Sequence, residues 1–302
     1  MTKKQQHQKI KIYKSFGSPK EAYIFGHLFT KTRVREEKVS SNIFKNAWEM
    51  IKRYRISTIP NRSVVVKVEH EEYTVKTDDK GYFFLSIKPD SGKSEIVFSV
   101  TLADNPQISE SGILEIREPN QIIISDIDDT IIVSHSTSLI RKIYTLLSRN
   151  FQRRKPFEGV HEFYHQLSAS KPNEMFFYVS SSEWNLYDFI DNFCTHNHFP
   201  SGVFLLNDIK TGLLQLLKSG GGSHTHKLEK IRLIKETYTN ARLTLIGDSG
   251  QKDVEIYEKI ALEDPDRIEE IYIRDLHKSK TNTLLKKRSE LAELKINMHL
   301  FN

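Results

Sequence analysis

Apolar and polar positions follow two different rhythms along the chain, and the change between them falls near residue 118. Before it, short runs with a period of two, at 22–29, 64–68, 82–87 and 96–102, predict strands with one buried and one solvated face, and together a small antiparallel sandwich. One interruption reads as helical. Ser41 fits an N-cap, and Phe44, Ala47, Trp48, Ile51 and Tyr54 recur at helical spacing, giving one apolar stripe that is most simply a packing face. Thr77-Asp78-Asp79-Lys80-Gly81 sets turn formers ahead of an alternating run, as a hairpin would. After Pro119, apolar runs of four to six residues alternate with longer helical stretches, the signature of βαβ units and a parallel sheet. Buried strands are predicted at 121–125, 175–180, 202–206, 243–247 and 270–273, with a ligand site at their carboxyl ends. The reading is therefore a β-rich domain over 1–118 with one inserted helix, and an α/β domain over 119–302.

Composition narrows the class without naming a function. With 28% charged and 38% hydrophobic residues in 302, the chain is long enough for two cores and is not a disordered protein. Forty-five Lys and Arg against 39 Asp and Glu give a net +6, which favours an anionic partner without choosing among phosphate substrates, membranes and nucleic acids. A single cysteine, Cys194, excludes an internal disulfide, and no Cys/His spacing suggests zinc, so a reducing compartment is expected. The opening residues lack the apolar core of a signal peptide, and no 18 apolar residues run together. A cytoplasmic protein is expected, with membrane contact at most peripheral.

The positive charge is concentrated. Residues 130–157 contain no Asp or Glu, while Arg141, Lys142, Arg149, Arg153, Arg154 and Lys155 supply six cations, interleaved with Leu139, Ile140, Ile143, Tyr144, Leu146 and Leu147. This fits a basic amphipathic helix at an anionic surface, or a packing helix with a solvated basic face; either serves a phosphate-rich substrate. A Ser-Gly-Gly-Gly-Ser run at 219–223 predicts a flexible loop.

Candidate chemistry gathers where the predicted strands end. Asp126 and Asp128 stand two positions apart after the apolar run Ile122-Ile123-Ile124, with Thr130 two further on, and clustered charge at such a place calls for a cation or a catalytic purpose. Alone, this D-x-D-x-T spacing also suits a turn and helix cap. Three further segments follow in order. The strand at 175–179 ends in Ser180-Ser181-Ser182, His226-Lys227-Leu228-Glu229-Lys230 opens a helix and brings a cation, and the strand at 243–246 ends in Gly247-Asp248-Ser249-Gly250-Gln251-Lys252-Asp253. A parallel sheet would deliver all four to one edge. His224 and His226 without further ligands read as loop residues.

This ordered set resembles the haloacid dehalogenase superfamily of phosphohydrolases, over roughly 119–275. More narrowly, S-D-I-D-D-T-I, Pro156-Phe157-Glu158-Gly159-Val160, Y-V-S-S-S-E-W-N-L-Y, H-K and L-I-G-D-S-G-Q-K-D-V-E-I-Y are similar to the catalytic domain of the actin-patch-associated phosphatidate phosphatase family. Glu183 departs from the pattern, which has proline before the tryptophan; the change touches a turn and removes no chemical group. The resemblance implies a Rossmann-like core with a parallel sheet and a minimal cap. It implies Asp126 as the nucleophile that forms an aspartyl-phosphate, and Asp128 as the acid and then the base. Mg²⁺ would be held by Asp126, the Asp128 carbonyl and Asp248, while Ser180 and Lys227 would steady the phosphoryl oxygens. Lys230 competes with Lys227, which the pairing with His226 favours. Asp253 would bind metal through water, orient Lys227, or merely cap a helix starting near Val254; Thr130 would pin the loop, Asp129 would stand behind the site, and Arg153, Arg154 and Lys155 would meet substrate.

Relatives in the superfamily that act on small metabolites carry a large cap after the first or second motif, and neither the segment from Thr130 to Met175 nor that from Leu206 to His226 is long enough for one. An open site suits phosphate on a large object, and the resemblance favours a phospholipid at a membrane surface, with phosphatidate hydrolysed to diacylglycerol. The same chemistry on a phosphoprotein, a nucleic-acid end or a soluble phosphomonoester is the alternative, nucleic acid being disfavoured. A non-catalytic binding protein or receiver domain is the third reading, and a receiver would carry its phospho-acceptor on a later strand than its acidic pair.

Overall fold

The computed structural model describes residues 8–30, 57–90, 92–128, 130–131, 159–170, 173–208, 225–250, 252–276 and 281–301. The predicted helix over 41–54, the six-cation stretch with Arg153, Arg154 and Lys155, Asp129, the Gly-Ser run and His224 lie outside the described residues. The chain divides into two compact units, the strands that end at Glu118 falling in the first and those that follow Pro119 in the second.

The first unit is one β-sheet of eight strands: β1 (Gln8–Ile12), β2 (Ser15–Gly17), β3 (Ala22–Thr30), β4 (Ser63–Val68), β5 (Glu71–Lys76), β6 (Tyr82–Ile87), β7 (Glu95–Leu102) and β8 (Asn105–Ile116). Their order is β1-β3-β2-β8-β7-β4-β5, with β6 paired to β3. All pairings are antiparallel except β2 with β8, and that short parallel contact stitches the two halves into a continuous sheet. Ile24 and Leu28 of β3 share one buried cluster with Val64, Val66 and Val68 of β4, so strands far apart in the order face the same core. The alternation is visible in β7, where Ile96, Phe98, Val100 and Leu102 are buried and Val97 is exposed. The predicted hairpin at Thr77 to Gly81 is a real turn with different partners. Asp78 Oδ1 accepts the backbone N–H groups of Lys80 and Tyr82 at 2.8 and 2.9 Å, and Gly81 takes φ of +74°. Yet β5 pairs with β4 and β6 with β3, because Phe83 and Ile87 reach the core from beside β3. Turn chemistry fixes a reversal; burial chooses the neighbour.

The second unit is a wholly parallel sheet of six strands in the order β11-β10-β9-β12-β13-β14. They are β9 (Gln121–Ser125), β10 (Glu174–Glu183), β11 (Gly202–Asn207), β12 (Arg242–Asp248), β13 (Ile268–Arg274) and β14 (Asn297–Phe301). The described helices are α1 (Val160–Ser170), α2 (Tyr187–His196), α3 (Thr225–Thr237), α4 (Asp253–Glu263) and α5 (Thr281–Glu293). Strand β9 is buried along its whole length, Ile122, Ile123 and Ile124 being fully enclosed, and each such side chain contributes about 1.5–3 kcal/mol of burial. Its two neighbours, β10 and β12, run on to opposite sides of the sheet, so the direction of strand succession reverses beside β9. That reversal opens a crevice at the carboxyl end of the strand that leads into Asp126. The chain's last described segment adds a parallel edge strand: α5 packs through Leu284 and Leu291, and β14 pairs with β13.

Gly247, near the end of β12, has a steric role. A Cβ there would stand 2.5 Å from Asp253 Oδ2 and 2.8 Å from the Tyr257 ring, both on α4. Gly247→Ala is expected to cost about 1–3 kcal/mol by overpacking, read as a thermal midpoint lower by several degrees; at Gly92 an added Cβ meets nothing within 4 Å, and the cost of the same change would come from strain at φ of +85° instead.

Candidate active site

Asp126 is the first residue past β9. Its backbone N–H donates to the Ile246 carbonyl at 2.8 Å, continuing the contact with β12, and its side chain is fully buried. Tyr257 secures the same Ile246 carbonyl from α4, its hydroxyl donating at 2.8 Å, while Ser125 and Tyr164 of α1 share a hydrogen bond of 2.5 Å below the loop. The backbone carrying Asp126 is thus clamped from a strand and two helices. Thr130 Oγ1, also buried, donates to Asp126 Oδ2 at 3.4 Å, and the Ile131 N–H closes the turn on the Ile127 carbonyl.

The cation comes from α3. Lys227 is 6% exposed, and its Nζ donates to Asp126 Oδ1 at 2.9 Å and to Asp253 Oδ1. It faces inward because it continues the helix's buried stripe: Lys227, Ile231, Ile234 and Tyr238 follow one another at intervals of four, three and four residues. Lys230 sits off that stripe, and its Nζ donates to the Leu206 carbonyl at 2.6 Å. His226 is exposed, 3.7 Å from Glu229. Of the two lysines, the structure brings Lys227 to Asp126.

Asp248 ends β12 and Asp253 begins α4. Asp248 Oδ1 accepts the Gly250 N–H at 2.5 Å, and Asp253 Oδ2 accepts the Asp248 N–H at 3.3 Å. Asp253 does not cap the helix; Lys252 holds the cap position without a side-chain bond, and the Asp253 carboxylate turns to Lys227 instead. Asp126, Asp248 and Asp253 bring carboxylate oxygens within 4.8 Å of one another, all buried. The Lys227 ammonium touches two of these three carboxylates. The donors are all oxygen, and a divalent cation would suit them.

Asp128 lies apart from this group. It is 8% exposed, and its Oδ2 accepts hydroxyls from Ser180 at 3.2 Å and Ser182 at 2.6 Å. Ser180 Oγ also accepts the Ser182 N–H at 2.9 Å, which folds the end of β10 around the carboxylate at the point where its pairing with β11 shifts register. Motif spacing did not single out Ser182 as a partner of Asp128, although the run of three serines at a strand end contained it. Asp126, Asp128, Thr130, Ser180, Lys227, Asp248 and Asp253 therefore meet at one sheet edge.

Burial raises the Asp126 pKa well above the ordinary carboxylate value, Lys227 opposes the rise, and Asp253, Asp248 and Asp128 add to it. At Lys227, burial pulls downward, but Asp126 and Asp253 outweigh it and hold the ammonium proton on beyond the usual range.

Known proteins resemble this chain over the same region. It is 28% identical over 218 residues to an uncharacterized protein of Schizosaccharomyces pombe, covering 68% of this chain and 35% of that protein. It is also 28% identical over 241 residues to Phosphatidate phosphatase APP1 of Saccharomyces cerevisiae, covering 75% of this chain and 40% of that one. The chain thus spans roughly 35–40% of the length of these curated relatives. Among solved structures, a carbohydrate acetylesterase from Xanthomonas citri aligns at 10% identity with a TM-score of 0.35, over 97% of this chain and 68% of that one, a level that establishes no shared fold. Residues 121–275, which hold the seven side chains gathered above, match the family described as Phosphatidate phosphatase APP1, catalytic domain, and the chain belongs to that family.

Proposed function

We propose that the chain is a Mg²⁺-dependent phosphomonoester hydrolase that works through an aspartyl-phosphate and takes phosphatidate as substrate. The observation that carries this reading is the buried constellation at the switch point of the sheet: Asp126 against Lys227, Asp253 and Asp248, with Asp128 held separately by two serines. The substrate is read from the family and from the named yeast relative.

Asp126 attacks phosphorus through a carboxylate oxygen as the bond to the glycerol oxygen breaks, and Asp128 in its acid form gives that oxygen its proton. Diacylglycerol leaves. Asp128, now a base, takes a proton from water; the water oxygen bonds to phosphorus, the bond to Asp126 breaks, and phosphate departs with Asp126 restored. The nucleophile cannot drift, because the β9–β12 ladder and Tyr257 fix its backbone and Lys227 holds one oxygen. Asp253 is the positioning residue for Lys227. The ammonium of Lys227 meets the negative charge that shifts over the phosphoryl oxygens in the transition state. Asp126 and Asp248, with Asp253 beside them, would hold Mg²⁺, which when bound supplies charge neutralisation for the phosphate and the acidic cluster. The short segments after the first two motifs leave no room for a full cap, and the six cations of 130–157 fit an anionic lipid surface.

Asp126→Asn is expected to lower phosphate release from phosphatidate vesicles by at least ~10³-fold while remaining folded. Because it removes one of three buried like charges, its thermal midpoint in chelator should be no lower than that of the unsubstituted chain; full activity in this variant overturns the covalent mechanism. Mg²⁺ at millimolar concentration should raise the midpoint of the unsubstituted chain, by about 2.7 kcal/mol of stability at a hundred times its dissociation constant, and Asp248→Asn should remove most of that increase. In a panel of phosphatidate vesicles, a phosphopeptide, a 5′-phosphorylated oligonucleotide and a soluble phosphomonoester, phosphatidate is expected to give the highest kcat/KM. A preference for any other member overturns the lipid assignment and leaves the reaction class standing.

A further inference from the structure

Asn185 is the middle residue of the 3-10 turn Trp184–Leu186, which follows β10 directly. It is 8% exposed, and both ends of its carboxamide, Oδ1 and Nδ2, are buried with no hydrogen-bond partner. A buried amide with neither end satisfied is unfavourable and rare in native interiors, and it calls for a ligand that folding alone does not provide. Trp184 and Leu186 on either side are buried as well, and the Trp184 ring stacks on Tyr187 with centroids 6.1 Å apart.

The place of the turn indicates the ligand. Strand β10 ends by presenting Ser180 and Ser182 to Asp128, and Asn185 stands three residues past Ser182 at the same edge of the sheet. Asp128 is the group that the proposed reaction sets beside the departing alcohol and then beside the water that replaces it. Phosphoryl oxygens accept only, and would leave Oδ1 unmatched. A water molecule both donates and accepts, which is what the two ends of the amide require.

We propose that Asn185 is a catalytic residue of the second half-reaction, its carboxamide holding the water that cleaves the aspartyl-phosphate. This rests on the covalent reading above. Oδ1 accepts one water hydrogen and Asp128 takes the other as a proton. The water oxygen bonds to phosphorus while the bond from phosphorus to Asp126 breaks, and the hydrogen held by Asn185 stays on the product phosphate.

The test is rapid-quench kinetics on the full chain with Mg²⁺ and p-nitrophenyl phosphate, following p-nitrophenol, inorganic phosphate and acid-stable phosphoenzyme together. Asn185→Leu, close in shape and without polar atoms, is expected to keep its thermal midpoint, since an apolar replacement removes the unmatched amide. Its steady-state phosphate release should fall about a hundredfold, the scale of one group aligned on a reacting oxygen. A burst of one p-nitrophenol per enzyme should remain, phosphoenzyme should accumulate, and added hydroxylamine should release its phosphate once, leaving Asp126 as the hydroxamate and the enzyme inactive. Asn185→Ala should give the same partition. Steady-state release within twofold of the unsubstituted chain overturns the proposal. So does loss of the burst in proportion to turnover in a folded variant, which places Asn185 in the first step or in structure alone. If the unsubstituted chain itself turns over without forming any phosphoenzyme, the covalent reading fails, and the proposal falls with it.

Discussion

The structure turns on one buried ammonium. Lys227 lies between Asp126 and Asp253 with almost no exposure, and both carboxylates are themselves enclosed. Removing an ion from water is costly, and a buried pair recovers that cost only when its geometry and remaining hydrogen bonds are good. Lys227 meets the condition by touching two carboxylates from different elements: the loop after β9 and the first turn of α4. The arrangement still leaves negative charge in excess, because Asp248 stands in the same cluster. Burial and like charge raise the Asp126 pKa, so the folded chain binds more protons there than the unfolded one, and stability falls as pH climbs above the ordinary carboxylate range. A fold built for stability alone would not keep three acids here. The surplus makes sense as a socket for a cation and a phosphate.

Topology is what makes so concentrated a cluster affordable to assemble from segments far apart in sequence. Asp126 and Lys227 are 101 residues apart, and Ser182 reaches Asp128 across 54. Asp126 follows the apolar run of β9, the serines lie in the last residues of β10, and Lys227 comes from the first turn of α3. Because β9 lies between β10 and β12, the serines of β10 meet Asp128 while Asp248 of β12 and Asp253 gather with Asp126. The reversal of strand order beside β9 thus gives the two aspartates different neighbours.

How much of this could be read from the sequence follows from what each signal encodes. Five of the six parallel strands were visible because two buried faces demand continuous apolar runs, as in Ile122-Ile123-Ile124, whereas the edge strand β14 was not. The strand β5, Glu71–Lys76, was not, since it is an edge strand half exposed along its length and carries no apolar signal. Partner choice in the first unit was equally hidden: alternation says which face is buried, and nothing local says that β6 crosses to β3. At the site, motif order brought forward the acids, Ser180 and Lys227, and the stripe Lys227, Ile231, Ile234, Tyr238 was a readable reason to prefer Lys227 over Lys230. Ser182 was obscured by its neighbours, because a run of three serines gives no clue to which hydroxyls turn inward until the β10 register shift is known. The roles of Asp253 diverge for a similar reason. Its position after Lys252 suits a cap, and only the close approach allowed by Gly247 turns its carboxylate toward Lys227.

Two carboxylates two residues apart on one loop would ordinarily behave alike, and the proposed reaction asks them to differ. In that reading Asp126 attacks, and Asp128 gives and takes a proton. The fold separates them by environment. Asp126 is fully enclosed, tied to an ammonium and crowded by acids that a cation can bind, so its charge is governed by ions. Asp128 Oδ2 meets the hydroxyls of Ser180 and Ser182, groups that can hydrogen-bond a carboxyl in either protonation state. Environments that differ in this way let one loop carry the two roles that the proposed reaction asks of it. The intervening Ile127 is buried at 1% exposure and anchors the loop between them.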